Sequence, residues 1–411
     1  MNFDANLIEK AAQAEKMCDT VFKRFDEISR YNGEKVLRSF IKNGVSERHL
    51  CGSNGYGYCD AGRATLDKVF ADSTGAESAL VRHNFINGTH ALTIALFGVL
   101  RPNDRLVSVT GKPYDTLHSV IKGDSGGSLK EYGIEYSQIE LLPTSLPNLS
   151  AIHSECENCR AIFIQRSRGY SLRKPLTINE IGHIVKAVKK INPSAIIIVD
   201  NCYGEFCEKT EPIASGADLI VGSLIKNPGG GIAETGGYIA GRSDLVKLCA
   251  NRLTVPGIGS EAGCSLNQNR AMYLGLFYAP EIVANALKTS AFALALMTLL
   301  GYECSPDFDE YRTDIIAAIN LKNEPLLRAF CEGIQAGSPV DSFAVPEPWD
   351  MPGYQNKVIM AAGAFTSGAS IELSADAPIR EPYTVFLQGG LTFPTGRYGV
   401  LCAAQKLINI I

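Results

Sequence analysis

The chain has 411 residues, with 39 Lys and Arg against 43 Asp and Glu and a net charge of −4, so the basic excess of a nucleic-acid binder is missing. Hydrophobic residues make up 45% and charged residues 20%, which excludes a disordered chain. At about 150 residues per domain, the length holds two or three domains, or one large α/β domain with an appendage.

The N-terminal stretch Met1–Thr20 mixes acidic, basic and apolar residues and has the layout of neither a signal nor a transit peptide, so a cytoplasmic location is expected. The 12 cysteines are then expected as reduced thiols. Cys156-Glu-Asn-Cys159 lacks the second pair that would complete a zinc tetrahedron, and the 6 histidines form no ligand-spaced pair, so no metal site is expected.

From Asn6 to Lys42, apolar residues at helical spacing (Leu7, Ala11, Ala14, Met17, Val21, Phe25, Ile28) predict one or two amphipathic helices. A turn-rich stretch, CGSNGYGYCDAGR, follows. Short apolar runs then alternate with helical segments to about residue 280. The runs are Ser78–Val81, Arg105–Val109, Gln138–Leu141, Ala161–Gln165, Ala195–Val199, Leu219–Gly222 and Gly236–Ala240. Helices are predicted at Thr89–Val99, Ile178–Ile191 and Ser243–Arg252. This alternation predicts an α/β fold with an open, mostly parallel sheet. Thr289–Leu300 is too short an apolar stretch to span a bilayer and reads as a buried helix. The remainder, with Pro/Gly-rich connections at 339–352, reads as a smaller α+β domain.

Ligands of open α/β sheets collect at the carboxyl ends of the strands. Asp200 ends the run Ala195–Val199, where a buried acid needs a donor or a cation. After Leu219–Gly222 comes Ser223-Leu-Ile-Lys226 and then Gly229-Gly-Gly231, which sets an amine on closely approachable backbone. Asn87-Gly88-Thr89 leads into a helix whose first amides can take a phosphate. Each of these alone is an ordinary cap, loop lysine or capped helix. Together they match the three needs of pyridoxal phosphate, whose aldehyde takes a lysine, whose ring nitrogen takes an acid and whose phosphate takes N–H and hydroxyl donors. A Rossmann dehydrogenase is disfavoured, because the glycines follow the lysine and no G-x-G-x-x-G joins a strand to a helix.

The stretches GYGYCDAGRATLDKVFA, ALVRHNFINGTHAL, VTGKPYDTL, IVDNCYGEF, GSLIKNPGGGIAETGGYIAG and LQGGLTFPTGRYG resemble the bacterial family called aluminium resistance protein or methionine gamma-lyase-like protein. The resemblance covers essentially the whole chain. It implies fold type I of the pyridoxal-phosphate enzymes, aspartate aminotransferase-like, with an N-terminal helical segment and dimer arm (1–60), a cofactor-binding large domain (61–285) and a small C-terminal domain (286–411). It implies Lys226 as the cofactor's lysine, Ser223 and the amides of Gly88 and Thr89 as the phosphate site, and Asp200 as the partner of the pyridinium nitrogen. Tyr114 matches the tyrosine that stacks on the ring and serves as general acid. Tyr56, Tyr58 and Arg63 are candidates for crossing to a neighbour's phosphate, and Arg380 and Arg397 for the substrate carboxylate. The implied activity is a carbon–sulfur lyase on a sulfur-containing amino acid. Aldol cleavage, racemisation, γ-replacement or a non-catalytic pyridoxal-binding stress protein are the alternatives. The implied assembly is a homotetramer built from homodimers, with neither nucleic acid nor membrane as partner.

Overall fold

A run such as Ile196–Val199 offers apolar side chains to both sides, and burying both requires a sheet covered on each face. The computed structural model describes residues 2–124, 126–352, 354 and 356–410. Its larger sheet comprises β1 (Ser78–Arg82), β2 (Arg105–Ser108), β3 (Glu135–Gln138), β4 (Ala161–Gln165), β5 (Ile196–Asp200), β6 (Leu219–Ser223) and β7 (Gly237–Gly241). The strand order is β1-β7-β6-β5-β4-β2-β3. β7 runs antiparallel to both of its neighbours and every other pair is parallel.

The pleat divides the central strands between two cores. Ile197 and Val199 of β5 join Ile162 and Ile164 of β4 on one face, while Ile196 and Ile198 join Ala161 and Phe163 on the other. The helices Gly88–Val99 and Ser243–Leu253 close the second face, and Ile178–Ile191 packs on the first.

One predicted strand is displaced. The apolar pattern points to Gln138–Leu141, but the strand is Glu135–Gln138. As an edge strand paired only with β2 it needs no continuous apolar run; Tyr136 and Ser137 are half-buried while Glu135 and Gln138 face solvent.

The N-terminal region forms two helices, Ala5–Met17 and Asp19–Lys42, which bury Leu7, Ala11, Ala14, Val21, Phe25 and Ile28, while Met17, at the end of the first helix, is half-buried. The C-terminal region holds β8 (Glu303–Ser305), β9 (Ala317–Asn320), β10 (Val358–Ala361), β11 (Ser374–Pro378) and β12 (Thr384–Gln388). They form an antiparallel sheet in the order β10-β11-β12-β9-β8, against which the helix Glu324–Ala336 packs.

A 31-residue helix, Asn269–Leu299, joins the two regions and runs unbroken through residue 285. It is long and apolar enough to cross a membrane, yet 72% of its most apolar window is buried within the fold. It packs on the helices Asp19–Lys42 and Phe393–Ile408 and is therefore a core helix.

The turn that carries Lys226 is held by this same helix. A Cβ at Gly229 would stand 1.6 Å from the Leu224 carbonyl oxygen, and one at Gly275 would stand 2.2 Å from the carbonyl oxygen of Gly229. Gly229→Ala is therefore expected to lower stability by about 1–3 kcal/mol through overpacking, read as a reduced midpoint of urea unfolding. An unchanged midpoint would show that the turn can move aside.

Candidate active site

Strands of the larger sheet deliver their carboxyl ends into one cavity of about 1320 Å³. β5 ends in Asp200, whose Oδ1 accepts the Cys202 amide at 3.1 Å. β6 ends in Ser223, and the chain turns through Lys226 into a short 3-10 helix. After β1, Asn87 caps the helix Gly88–Val99 by accepting the His90 amide at 2.8 Å. The Ala91 amide reaches the Asn87 carbonyl, which leaves those of Gly88 and Thr89 without an intrahelical acceptor. After β2, the Tyr114 amide donates to Gln165 Oε1 at 3.0 Å and its hydroxyl lies 3.1 Å from Thr89 Oγ1. Gly88, Thr89, Tyr114, Asp200, Ser223 and Lys226, drawn from four separate segments, thus line a single space.

The electrostatics follow from burial. Asp200 is raised above the ordinary carboxylate range by desolvation, against the pull of Lys226 and the Cys202 amide. Burial, then Asp200 and Cys202, push the Tyr114 phenol well up, so it keeps its proton at neutral pH. Burial draws the Lys226 amine down, but Cys202, Tyr203, Asp200 and Tyr114 around it prevail and its net direction is upward. The Cys202 thiol and the Tyr203 phenol are themselves raised by burial, so both keep their protons at neutral pH.

Of the other predicted residues, only Arg380 lines this cavity. Arg397 does not line the cavity. Its Nε donates to Glu15 at 2.9 Å and its guanidinium sits over the Phe292 ring, so the structure does not bring it together with the other candidates. Arg63 is buried, its guanidinium donating to the carbonyls of Gly57, Gly263 and Glu261 of its own chain. Tyr56 and Tyr58 stack on each other, centroids 5.5 Å apart, and are exposed. Arg380 does line the cavity, with Nη2 donating to the Tyr170 carbonyl at 3.3 Å.

The cavity also contains Gln165, Arg168, Tyr170, Arg173, Tyr203 and Tyr354, which the sequence reading leaves out. Gln165 ends β4, so the strand-end rule that finds Asp200 could have found it. Tyr170 and Tyr354 carry no comparable signal, being loop residues brought together by the fold.

This architecture is fold type I of the pyridoxal-phosphate-dependent enzymes. The pyridoxal-5'-phosphate-dependent protein YhfS from Escherichia coli has the same fold, with a TM-score of 0.64 over 94% of this chain and 97% of that one at 16% identity. Within that fold the chain belongs to the methionine gamma-lyase family, whose model matches residues 7–408. It is 45% identical to YnbB of Bacillus subtilis (strain 168) over 98% of this chain and 97% of that protein. It is also similar to a carbon-sulfur lyase involved in aluminum resistance from Clostridium novyi NT, with 49% identity, a TM-score of 0.95 and coverage of 100% of this chain and 97% of that one.

Proposed function

We propose that the chain is a pyridoxal-phosphate-dependent lyase that breaks a carbon–sulfur bond at Cβ or Cγ of a sulfur-containing amino acid, as a methionine gamma-lyase or a cystathionine lyase does. The observation that carries this reading is the meeting of Lys226, Asp200, Ser223 and the start of the helix Gly88–Val99 in one cavity. The residues fit the cofactor. A Cβ at Gly88 would come 3.3 Å from Cys202 Sγ and 3.4 Å from Ser223 Cβ, so glycine keeps open the small space that the free amides and the Ser223 hydroxyl share. A phosphate suits that space. Asp200 is a buried acid raised by desolvation, a cost that a pyridinium beside it would offset.

Bound there, pyridoxal phosphate supplies an electron sink for charge that develops at Cα of an amino acid. The side chains do the rest. Asp200 keeps the ring nitrogen protonated, Lys226 takes the proton from Cα, and Tyr114 gives its retained proton to the departing sulfur. Arg380 is assigned to the substrate carboxylate, with Arg168 and Arg173 adding positive charge along the same cavity. Tyr56 and Tyr58, exposed near the chain's N-terminal end, are assigned to a second copy in a homodimer and, with dimers paired, a tetramer. A cytoplasmic location belongs to the same reading and accords with 12 free cysteines.

Purified holoenzyme offered methionine, cysteine, cystathionine and sulfur-free amino acids is expected to release α-keto acid, ammonia and a thiol, or hydrogen sulfide from cysteine, from the sulfur compounds alone. Aldehyde release, inverted substrate or sulfur-exchanged product would replace this reading by aldol cleavage, racemisation or γ-replacement. A cofactor spectrum unmoved by every amino acid would leave a non-catalytic binder.

A further inference from the structure

Three residues beyond Asp200, Tyr203 adopts φ +70°. A bulky side chain pays for left-handed backbone, and the conformation persists only where surroundings enforce it. Here one face of the ring carries Lys226 Nζ at 3.9 Å from the centroid. The ring also packs on Ala318 and Phe386 of the smaller sheet and on Ile316 just before it, and its hydroxyl lies 3.4 Å from Ser370 Oγ. Burial keeps the phenol protonated, so the ring meets the amine as a neutral π face rather than as a phenolate. The other groups that act on the amine are Cys202, Asp200 and Tyr114, with Glu205, Tyr354 and Asp376 also in electrostatic reach. None of these presents an aromatic face to it at this distance, since Tyr114 directs its hydroxyl to Thr89.

A cation held over a ring face is attracted by the ring quadrupole, and the attraction grows where water is excluded. We propose that Tyr203 is a positioning residue for Lys226, its ring face fixing the ammonium at the centre of the cavity while the smaller sheet fixes the ring. This accounts for a tyrosine at a backbone position that favours glycine. Glycine would relieve the strain and leave the amine free to swing across the cavity. The proposal concerns the amine itself and goes beyond the lyase reading.

The test uses the full chain freed of cofactor, with the Lys226 pKa read from competitive acetylation across pH followed by peptide mass spectrometry. Tyr203→Phe keeps the ring and is expected to leave that pKa within about 0.3 unit of the parent. Phenylalanines bearing one, two and three ring fluorines at 203 keep the shape but drain the face. They are expected to lower the pKa stepwise, by about one unit for the trifluorinated ring. Tyr203→Leu should lower it at least as far. A pKa that stays constant across the fluorinated series would overturn the proposal. So would a fall in Tyr203→Phe as large as that in Tyr203→Leu, because the hydroxyl would then be the group that acts. The fluorinated series keeps the question answerable if the leucine variant fails to fold. Because no cofactor or substrate enters the measurement, either result leaves the lyase assay to stand or fall separately.

Discussion

Lys226→Ala is expected to lose the yellow colour of a pyridoxal aldehyde condensed with a lysine, and to lose lyase turnover by about 10²–10⁴-fold or more. The substitution removes both the amine that captures the cofactor and the base proposed for the Cα proton. Its effect on folding should be small, since the side chain stands in the cavity rather than in the core and Asp200, already raised by burial, can take up a proton when its partner is lost. Absorbance spectra, single-turnover assays and melting curves separate the outcomes. A variant that kept both the colour and the turnover would place the reactive lysine elsewhere.

Arg166→Met should act in the opposite way, by undoing the fold beneath the site. Arg166 is fully buried, with Nη1 donating to Asn201 Oδ1 at 2.7 Å and to the Gly204 carbonyl at 2.9 Å. Glu208 and Glu211 face its guanidinium at 3.7 and 3.5 Å, and Asn201 Nδ2 donates to Glu211 at 2.8 Å. Methionine fills much of the volume but leaves two buried carboxylates without their cation, a loss of about 3–5 kcal/mol. Against a total stability of roughly 5–15 kcal/mol, this would bring many molecules to the edge of unfolding. Urea titration measures it. Adding Glu211→Gln to the variant should recover part of the loss, because one of the stranded charges is then gone. A midpoint equal to the parent's would mean that the network carries no net stability.

Much of the larger sheet was legible because its signal is local. Four consecutive apolar β-branched residues at 196–199 can be buried on both sides only between two layers, and the order of chemistry along the chain placed Asp200 and Lys226 at neighbouring strand ends. Edge strand β3 was misplaced because an edge can be polar. The place of Arg397, apart from the cavity, was illegible for a different reason. A sequence shows that an arginine follows a glycine-rich turn, but its partner Glu15 is 382 positions away, and only the folded chain brings the two together. Tyr203 escaped notice because its importance lies in a backbone angle and in the ring's distance from an amine, neither of which a residue type encodes.

The place of β7 between β1 and β6 also sets a timetable for synthesis. β1 leaves the ribosome early, but its sheet neighbour, Gly237–Gly241, arrives only after every parallel strand has been made. At ribosomal speeds that interval is on the order of ten seconds. Throughout it Ala79, Leu80 and Val81 have no strand beside them, and the glycine-led helix that follows β1 has no fixed position relative to the lysine turn. Nascent chains halted before residue 237 are thus expected to be the sticky, chaperone-dependent species. Release past Gly241 is the moment at which the two halves of the cavity become one.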